Sequence, residues 1–513
     1  MSATVSLVSD VVRPSQRRLT HRGCALAQLA VATWLLGACG DDGGGSGDTD
    51  GGDATGAEGS TGVVAGDGGE VLGCPAGQTC DLVLVSQTLD DRVEVFSPAD
   101  PAGVVYRGAI DIDLKPNTCE GCEPGDNSDG RLDEPYGLAI AGGHLHVVTG
   151  HYPMSASGSL VSFPFDFFAD RAAGATIPVT DYFDGAAFTG VVSVPLGELE
   201  PIFVTAVGDK LLLGVFNNDL FATEDTWTQS GKLAIIDAAD PGGGFGIADL
   251  GGLDGGGCNG AAQVITLDDG RIAVACDGNE GVAVLQIDAL DGTPTEAAGS
   301  VTGQVCSIPG SLGSKRVRHL ASDGSGGFVV LEGPGPNVLD DGKLWWFDGD
   351  CGMQGLVTLD GMDWQLTQVV ALPQWPATWL FASGAASPAG NRGIYVAEGA
   401  GGQITVCGPL PGFDALLSDD AGDPLEPQAI ALDPGGTHLA VGTGPFVAPS
   451  AGPGFGRVGW ATLSGTDGAD PCAITASVTD LTAGPPGAPA VDPADPLTFR
   501  RSPAVVEIVR VSG

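Results

Sequence analysis

Short apolar runs alternate with Asp- and Gly-rich turns along most of the chain. The clearest unit covers residues 265–288, where two polar turns, Asp268-Asp269-Gly270 and Asp277-Gly278-Asn279-Glu280, separate three apolar runs. Asp, Asn and Gly adopt the backbone angles of tight turns, and short apolar runs between such turns are typical of buried strands. The unit therefore predicts three consecutive antiparallel strands.

This three-strand unit recurs seven times. The copies cover residues 82–96, 136–165, 202–236, 265–287, 317–347, 394–407 and 428–463. The first strand of the sixth copy is not assigned, because residues 368–381 contain two candidates. Residues 167–200 and 480–500 fall outside the repeat. No helical periodicity is evident beyond an N-terminal apolar segment, so the repeat predicts an all-β chain.

The stretch Leu82-Val-Leu-Val-Ser-Gln-Thr-Leu-Asp-Asp-Arg-Val-Glu-Val-Phe96 resembles the repeats of YVTN-type and NHL-type β-propellers, in which a strand and a polar turn precede a Val-x-Val-Phe strand. This resemblance implies a seven-bladed β-propeller over residues 74–513. The first copy lacks an inner strand, whereas Ala504–Val511 is a strand without a blade. We expect this last strand to complete the first blade, which would close the ring and leave no free sheet edge.

Residues 1–38 are predicted to be a signal peptide. Four arginines precede the apolar run Cys24–Leu36, which is short for a spanning helix. The sequence Leu36-Gly37-Ala38-Cys39 resembles a bacterial lipobox, which implies cleavage before Cys39 and attachment of lipid to it. The alternative is an ordinary secretory signal with an incidental cysteine.

Residues 39–73 are predicted to be a disordered tether behind the lipidated Cys39. Residues 40–70 consist mainly of Gly, Asp, Ser and Thr and carry eight acidic and no basic side chains. Such a composition cannot bury a core, and its charges repel one another. We expect the tether to hold the propeller away from the outer membrane, on its periplasmic or cell-surface side.

The charge balance is strongly acidic, with 21 Lys and Arg against 64 Asp and Glu. Nucleic-acid binding requires cationic patches, so this composition argues against a nucleic-acid partner. It favours cations, basic partners or solubility alone. We predict a monomer whose protein or small-molecule partner the sequence does not identify.

Ten of the twelve cysteines follow Cys24 and Cys39, an even number that suits disulfides in an exported protein. The short spacings and the repeat favour the pairs Cys74–Cys80, Cys119–Cys122, Cys258–Cys276, Cys306–Cys351 and Cys407–Cys472. Spacing alone does not exclude other connectivities. Cys119-Glu-Gly-Cys122 lacks the following histidine of a haem site.

The resemblance implies that ligands bind at the centre of the upper face, where the second strand of each blade turns into the third. In our repeat register these turns contain Gln87, His151, Asn217, Asp277, Glu332 and Glu398. Carboxylates gathered there would suit calcium, and the connection between the first two blades adds Asp126 and Asp129. The predicted calcium ligands are therefore Asp126, Asp129, Asp277, Glu332 and Glu398. The alternative is ordinary turn chemistry, since Asp, Asn and Gly are common in turns.

His144 and His146 alternate along one predicted strand and share a face, so they could bind a transition metal if a third ligand were near. The chain contains no Gly-x-Ser-x-Gly, Walker or His-Glu-x-x-His motif. We therefore predict a binding or scaffolding module. The alternative is a hydrolytic enzyme, because the propellers that the chain resembles include lactonases with a metal-dependent or acidic site on the upper face.

Overall fold

Seven antiparallel blades of four strands each form a closed ring in a computed structural model of the chain, and two short strands extend the sheet of one blade. The inner strand of each sheet contacts the inner strand of the next, and the last contacts the first. The predicted seven-bladed β-propeller is therefore confirmed. The structure describes residues 64–65, 74, 78–87, 92–98, 105–111, 132–152, 158–164, 175–178, 183–184, 187–188, 192–196, 201–215, 230–279, 281–309, 315–334, 342–359, 364, 366–384, 391–418, 424–444, 456–466, 470–482 and 503–512.

Each blade is numbered in ring order and its strands are named first to fourth from the centre outward. Blade 1 contains Pro503–Ser512, Thr79–Gln87, Arg92–Phe96 and Tyr106–Asp111; blade 2 contains Leu132–Ala141, His144–Tyr152, Gly158–Pro164 and Val192–Pro195; blade 3 contains Pro201–Val207, Lys210–Val215, Lys232–Asp237 and Phe245–Asp249. Blade 4 contains Ala261–Thr266, Ile272–Cys276, Gly281–Ile287 and Val301–Ser307; blade 5 contains Lys315–Ser322, Phe328–Pro334, Gly342–Phe347 and Met353–Leu359. Blade 6 contains Leu366–Ala371, Thr378–Ser383, Gly393–Ala400 and Gln403–Pro409; blade 7 contains Glu426–Leu432, His438–Gly444, Arg457–Ser464 and Thr475–Asp480.

Short elements add to the seven blades. The strands Val64–Ala65 and Ala175–Pro178 extend the sheet of blade 1 in parallel. Separate from the blade sheets are the strands Phe183–Asp184 and Ala187–Phe188, the α-helix Pro294–Gly299, and the 3-10 turns Pro241–Gly243, Leu250–Gly252, Asp414–Leu416 and Pro471–Ala473. Among the described residues, no helix has the length and apolar character needed to cross a membrane.

The C-terminal strand closes the ring as predicted. Pro503–Ser512 pairs antiparallel with Thr79–Gln87 along the whole length of both strands. On its other side, Val64–Ala65 pairs with it in parallel, so two residues of the predicted tether join the sheet of blade 1. Blade 1 is therefore built from both ends of the chain, as a ring without a free inner edge requires.

Blade 6 differs from the predicted repeat. Both candidates for its first strand are used, as the first strand Leu366–Ala371 and the second strand Thr378–Ser383. The residues predicted to form its second strand therefore belong to the third strand, Gly393–Ala400. This shift by one strand moves Glu398 from the predicted upper-face turn to the lower end of the blade, opposite Thr378.

The hairpin between the first two strands of blade 4 illustrates how the sequence produces a lower-face turn. The Gly270 N–H donates to the Leu267 carbonyl, and Gly270 adopts a φ of 83°, which favours glycine. The Asp269 carboxylate accepts the Arg271 backbone N–H at 3.0 Å. The Asp-Gly pair therefore satisfies the turn backbone locally and fixes the pairing of the two strands.

The core lies between neighbouring blades. Leu380 and Val396 of blade 6, for example, belong to one buried cluster with Ile430 and Val441 of blade 7. Each blade thus presents apolar side chains on both faces, which explains why its strands read as continuous apolar runs. Burial of one such side chain contributes about 1.5 to 3 kcal/mol, so each blade depends on its neighbours for stability.

Four of the five predicted disulfides are confirmed. They are Cys74–Cys80, Cys258–Cys276, Cys306–Cys351 and Cys407–Cys472. Cys306–Cys351 joins the fourth strand of blade 4 to the turn before the fourth strand of blade 5, and Cys407–Cys472 joins blades 6 and 7 in the same way. Cys119 and Cys122 lie outside the described residues. The disulfides indicate an extracellular or periplasmic environment.

We predict that the inter-blade disulfide Cys306–Cys351 stabilises the protein more than the local Cys74–Cys80 pair. The first closes a loop with a sequence separation of 45 and the second one of 6. Loop-closure entropy then gives about 4 kcal/mol for the first and about 2 kcal/mol for the second. Urea unfolding of the two double Cys→Ser variants measures both losses, and equal midpoints would contradict the prediction.

Candidate functional site

Three of the predicted upper-face residues lie at or near the upper ends of second strands, and a fourth, Glu398, does not. Asp277 is buried at the end of the second strand of blade 4, and Glu332 is fully buried near the end of the second strand of blade 5. His151 lies on the second strand of blade 2, opposite Asp133 in the register. Glu398 lies at the lower end of blade 6. Asn217, Asp126 and Asp129 lie outside the described residues.

Glu332 is engaged by side chains of its own blade. Its Oε2 accepts the Trp345 indole N–H at 2.6 Å, and the Lys343 ammonium lies 3.9 Å away. A carboxylate held by an indole donor and a lysine is already compensated for its burial. Glu398, at the lower end of blade 6, lies at the opposite face from Glu332.

His146 is a core histidine. Its Nε2 lies 3.1 Å from the Ala141 carbonyl and its Nδ1 lies 2.8 Å from the Ser162 hydroxyl. Because a carbonyl only accepts, Nε2 carries the proton and Nδ1 accepts from Ser162. Burial lowers the pKa of His146 to about 3. Both nitrogens are thus occupied, which leaves neither available for the metal site that His144 and His146 suggested.

In the described part of the chain, one group of three side chains has the arrangement of metal ligands: Asp81, Asp433 and His438. It lies on the lower face, where blade 7 meets blade 1. The Arg510 Nε donates to Asp81 at 2.9 Å, and an Arg510 Nη lies 3.6 Å from the buried Asp433. The guanidinium supplies the positive charge that these carboxylates need. We therefore interpret this group as an ion network that locks the closing strand.

A cluster of buried polar groups at the upper ends of blades 6 and 7 was not predicted from the sequence. It contains Gln368, Arg392 and Glu426, and we call it the blade 6/7 cluster. Each residue has a buried polar atom without a hydrogen-bond partner: Gln368 Nε2, Arg392 Nη1 and Glu426 Oε2. Except for the half-buried Arg392, these side chains are at most 4% exposed.

Hydrogen bonds between the first strands of the two blades position the cluster. The Thr367 hydroxyl donates to the Pro427 carbonyl at 2.8 Å, and Gln368 Oε1 accepts the Ile430 N–H at 2.7 Å. The register shifts between Pro427 and Ala429, which places Gln428 at an irregularity of the strand. Such bulges redirect side chains at the ends of sheets. The irregularity thus explains why Gln428 lies beside Gly444 and Pro503, on the side of blade 1.

Glu426 lies against the backbone of Gly384. A Cβ atom on Gly384 would lie 2.8 Å from the Glu426 Cβ and 3.1 Å from its Oε2, so glycine is required for this close approach. Burial raises the pKa of Glu426 to about 8, although the Arg392 guanidinium opposes the shift. The carboxyl group is therefore mostly protonated at neutral pH. A neutral carboxylic acid can donate a hydrogen bond as well as accept one.

The cluster has a sequence signal that strand patterns alone did not reveal. The pair Glu-Pro begins the first strand of blade 7 at Glu426-Pro427 and recurs at Glu134-Pro135 and Glu200-Pro201. The three prolines occupy equivalent positions in the sheets, opposite Thr443, Thr149 and Val215. A glutamate placed repeatedly before a buried strand conflicts with burial of the strand. Such a conflict between local sequence and fold often marks a functional position.

No family model matches the chain, and no curated protein matches its sequence. A solved structure of a protein from Lactobacillus plantarum is 12% identical, covers 84% of this chain and 100% of its own, and has a TM-score of 0.46. A streptogramin B lyase is 9% identical, with 74% and 89% covered and a TM-score of 0.42. A protein described as a gluconolactonase is 14% identical, with 61% and 88% covered and a TM-score of 0.30. Similarities this distant give no information on activity.

Proposed function

We propose that this protein is an exported, lipid-anchored propeller that binds a small polar ligand at the blade 6/7 cluster. The observation that carries the proposal is the set of buried polar atoms without partners on Gln368, Arg392 and Glu426, where blade 6 meets blade 7. Each unsatisfied buried group costs about 1 to 3 kcal/mol. A ligand that formed these hydrogen bonds would recover that free energy on binding.

Neighbouring positions of the ring support this interpretation. Gln263 of blade 4 is the counterpart of Gln368, and its Oε1 accepts the Leu320 N–H of blade 5 at 2.6 Å. Glutamine side chains therefore bind the backbone of the next blade at both junctions. At the junction of blades 6 and 7, the unpaired Gln368 Nε2 and Glu426 Oε2 exceed what this backbone contact needs.

The alternative function, metal-dependent hydrolysis at an acidic upper face, has less support. Glu332 binds Trp345 and Lys343, and Glu398 lies at the lower end of its blade. The measurement that separates the two functions is the melting temperature in calcium, with magnesium and matched sodium chloride as controls for screening. We expect calcium to stabilise the protein no more than these controls do.

We predict that Gln428→Met stabilises the unliganded protein by about 1 kcal/mol, because it removes an unpaired buried donor and keeps the side-chain length. The matched control is Gln263→Met, which should destabilise the protein because it removes the acceptor for Leu320. Urea unfolding measures both effects.

The variant Arg392→Gln, which removes the charged member of the cluster, tests binding. Wild type and variant are compared by thermal unfolding in a panel of small carboxylates, amides, sugars and phosphates at millimolar concentration. A ligand raises the melting temperature of the protein that binds it. At least one compound should stabilise the wild type and not the variant. If no compound distinguishes the two proteins, the proposed site does not bind a ligand.

The lipid anchor rests on the lipobox-like sequence Leu36-Gly37-Ala38-Cys39 and the acidic stretch behind it. We predict that Cys39→Ala prevents incorporation of labelled fatty acid and releases the protein from membranes, because several acyl chains give durable anchoring. Metabolic labelling followed by membrane fractionation measures both effects. Unchanged labelling of the variant would exclude Cys39 as the attachment site.

A further inference from the structure

Two buried glutamines face each other where the closing strand joins blade 7 to blade 1. Gln87 ends the second strand of blade 1 and is fully buried, and Gln428 on the first strand of blade 7 is 2% exposed. Among the described residues, Gln87 Oε1 and Gln428 Nε2 have no hydrogen-bond partner. The first atom accepts and the second donates. We call these two residues the blade 7/1 pair.

The Gln87 side chain points toward blade 7. Val83 and Val85 precede it at alternate positions and belong to one buried cluster with Ala429 of blade 7. Alternate residues of a strand share a face, so Gln87 shares theirs. Its Nε2 donates to Glu94 Oε2 at 2.7 Å, and Glu94 lies opposite Val85 on the same face. Because a carboxylate oxygen accepts, this bond orients the amide and leaves Oε1 as the unpaired atom.

Gln428 reaches the same place from blade 7. A Cβ atom on Gly444 would lie 3.7 Å from Gln428 Cγ and 3.7 Å from Pro503 Cδ, so both side chains border the space over Gly444. Pro503 begins the closing strand and pairs directly with Gln87. Residues paired in this way share a face of the sheet. Pro503 therefore places the Gln87 amide on one side of this space and Gln428 on the other.

Glycine at position 444 leaves that space unfilled. Its φ lies outside the range that favours glycine, and at 3.7 Å an added methyl group would make ordinary contacts. By contrast, a Cβ atom on Gly442 would lie 2.6 Å from the Pro503 Cβ, so close packing requires that glycine. Gly444 is thus required neither by the backbone nor by these contacts, and it lies beside two unpaired polar atoms.

The two unpaired atoms select the chemistry of a group that could bind between them. A carboxylate only accepts and would face Gln87 Oε1, whereas an ammonium only donates and would face Gln428 Nε2. A hydroxyl group donates to the first atom and accepts from the second through a single oxygen, which is close to a methyl group in size. We propose that the blade 7/1 pair binds a hydroxyl group of a neutral sugar or other polyol, at a site separate from the blade 6/7 cluster.

The test compares the wild type with two glycine variants by calorimetric titration of glucose, mannitol and glycerol. Gly444→Ala fills the proposed site and should weaken binding about tenfold or more, because hydrogen bonds to both amides are lost. Gly333→Ala is the matched control. Gly333 follows the second-strand residue Glu332 of blade 5 as Gly444 follows Thr443, and its Cβ would lie 3.5 Å from the nearest atom. We expect this variant to bind like the wild type.

A second variant tests the site without filling it. Gln428→Met removes the donor and should also weaken polyol binding about tenfold. All titrations use millimolar concentrations, because polyols at high concentration stabilise any folded protein by exclusion from its surface. A stabilisation that is equal in the wild type, Gly444→Ala and Gly333→Ala is such an exclusion effect and would count against the proposal.

The remaining outcomes separate this site from the blade 6/7 cluster. Polyol binding that is lost in Gly444→Ala and Gln428→Met but kept in Gly333→Ala and Arg392→Gln supports the proposal, whether or not the blade 6/7 cluster binds a ligand. Binding that is lost in Arg392→Gln and kept in Gly444→Ala would assign the polyol to the blade 6/7 cluster and overturn it. If acetamide or acetate binds and no polyol does, the assigned class is wrong. If no probe binds and Gly444→Ala only raises the melting temperature, the space holds at most water and the proposal fails.

Discussion

Deletion of residues 503–513 is expected to abolish the cooperative unfolding transition and to cause aggregation. The deletion removes the first strand of blade 1, which pairs with Thr79–Gln87 along its whole length. It also removes Val505, Val509 and Val511, which are at most 1% exposed. The truncated ring would expose a long apolar sheet edge, which is a template for association with other chains. Calorimetry and light scattering of the purified protein measure both effects.

A circular permutant provides the control for this deletion. Ser512 pairs with Thr79, so residues 503–512 can be joined through a short turn to a chain that begins at Thr79. The joined strands would form a hairpin like that of every other blade. We expect this permutant to recover a cooperative transition even though its C-terminus lacks the strand. A truncated protein that melts like the full chain would instead mean that Pro503–Ser512 is not required to close the ring.

The fold could be predicted because most blades carry the same local signals. Apolar runs identify the strands, and turns such as Asp268-Asp269-Gly270 separate them. The predicted strand order is wrong in blade 6, where the turn residues differ from those of the other blades. Its first hairpin turns through residues 372–377, where the left-handed position is occupied by Ala377 with a φ of 50° instead of by glycine. Because no glycine marks this turn, the sequence pattern does not show that residues 366–371 and 378–383 form two consecutive strands.

The candidate site could not be predicted in the same way, because it depends on contacts between distant segments. Gln368 and Ile430 are 62 residues apart and meet only when blades 6 and 7 pack together. Glu426 likewise lies against Gly384 of the preceding blade, a contact that the apolar pattern does not show. Turn acids such as Glu332 were visible in the sequence, but partners such as Trp345 become apparent only in the folded blade. The sequence therefore indicated polar residues of single blades and not the contacts between blades.

Glu426→Gln is expected to make the protein more stable than the wild type at alkaline pH and to have little effect near pH 4.5. Burial raises the folded-state pKa of Glu426 from 4.5 to about 8. The folded state thus keeps a proton that the unfolded state has lost, so wild-type stability falls as the pH rises between these two values. At 1.36 kcal/mol for each pH unit, the loss is roughly 5 kcal/mol above pH 8. The glutamine does not titrate and avoids this loss.

Urea unfolding of wild type and Glu426→Gln at intervals from pH 4.5 to 9 measures the difference. Arg392→Gln should increase the loss in the wild-type background, because its guanidinium favours the ionised carboxylate. It should not increase the loss in the Glu426→Gln background, where no carboxylate remains. Glu398→Gln removes the same charge from the lower end of blade 6 and controls for net charge. A gain of the same size in Glu398→Gln would assign the effect to the overall acidity of the protein and contradict the role of Glu426.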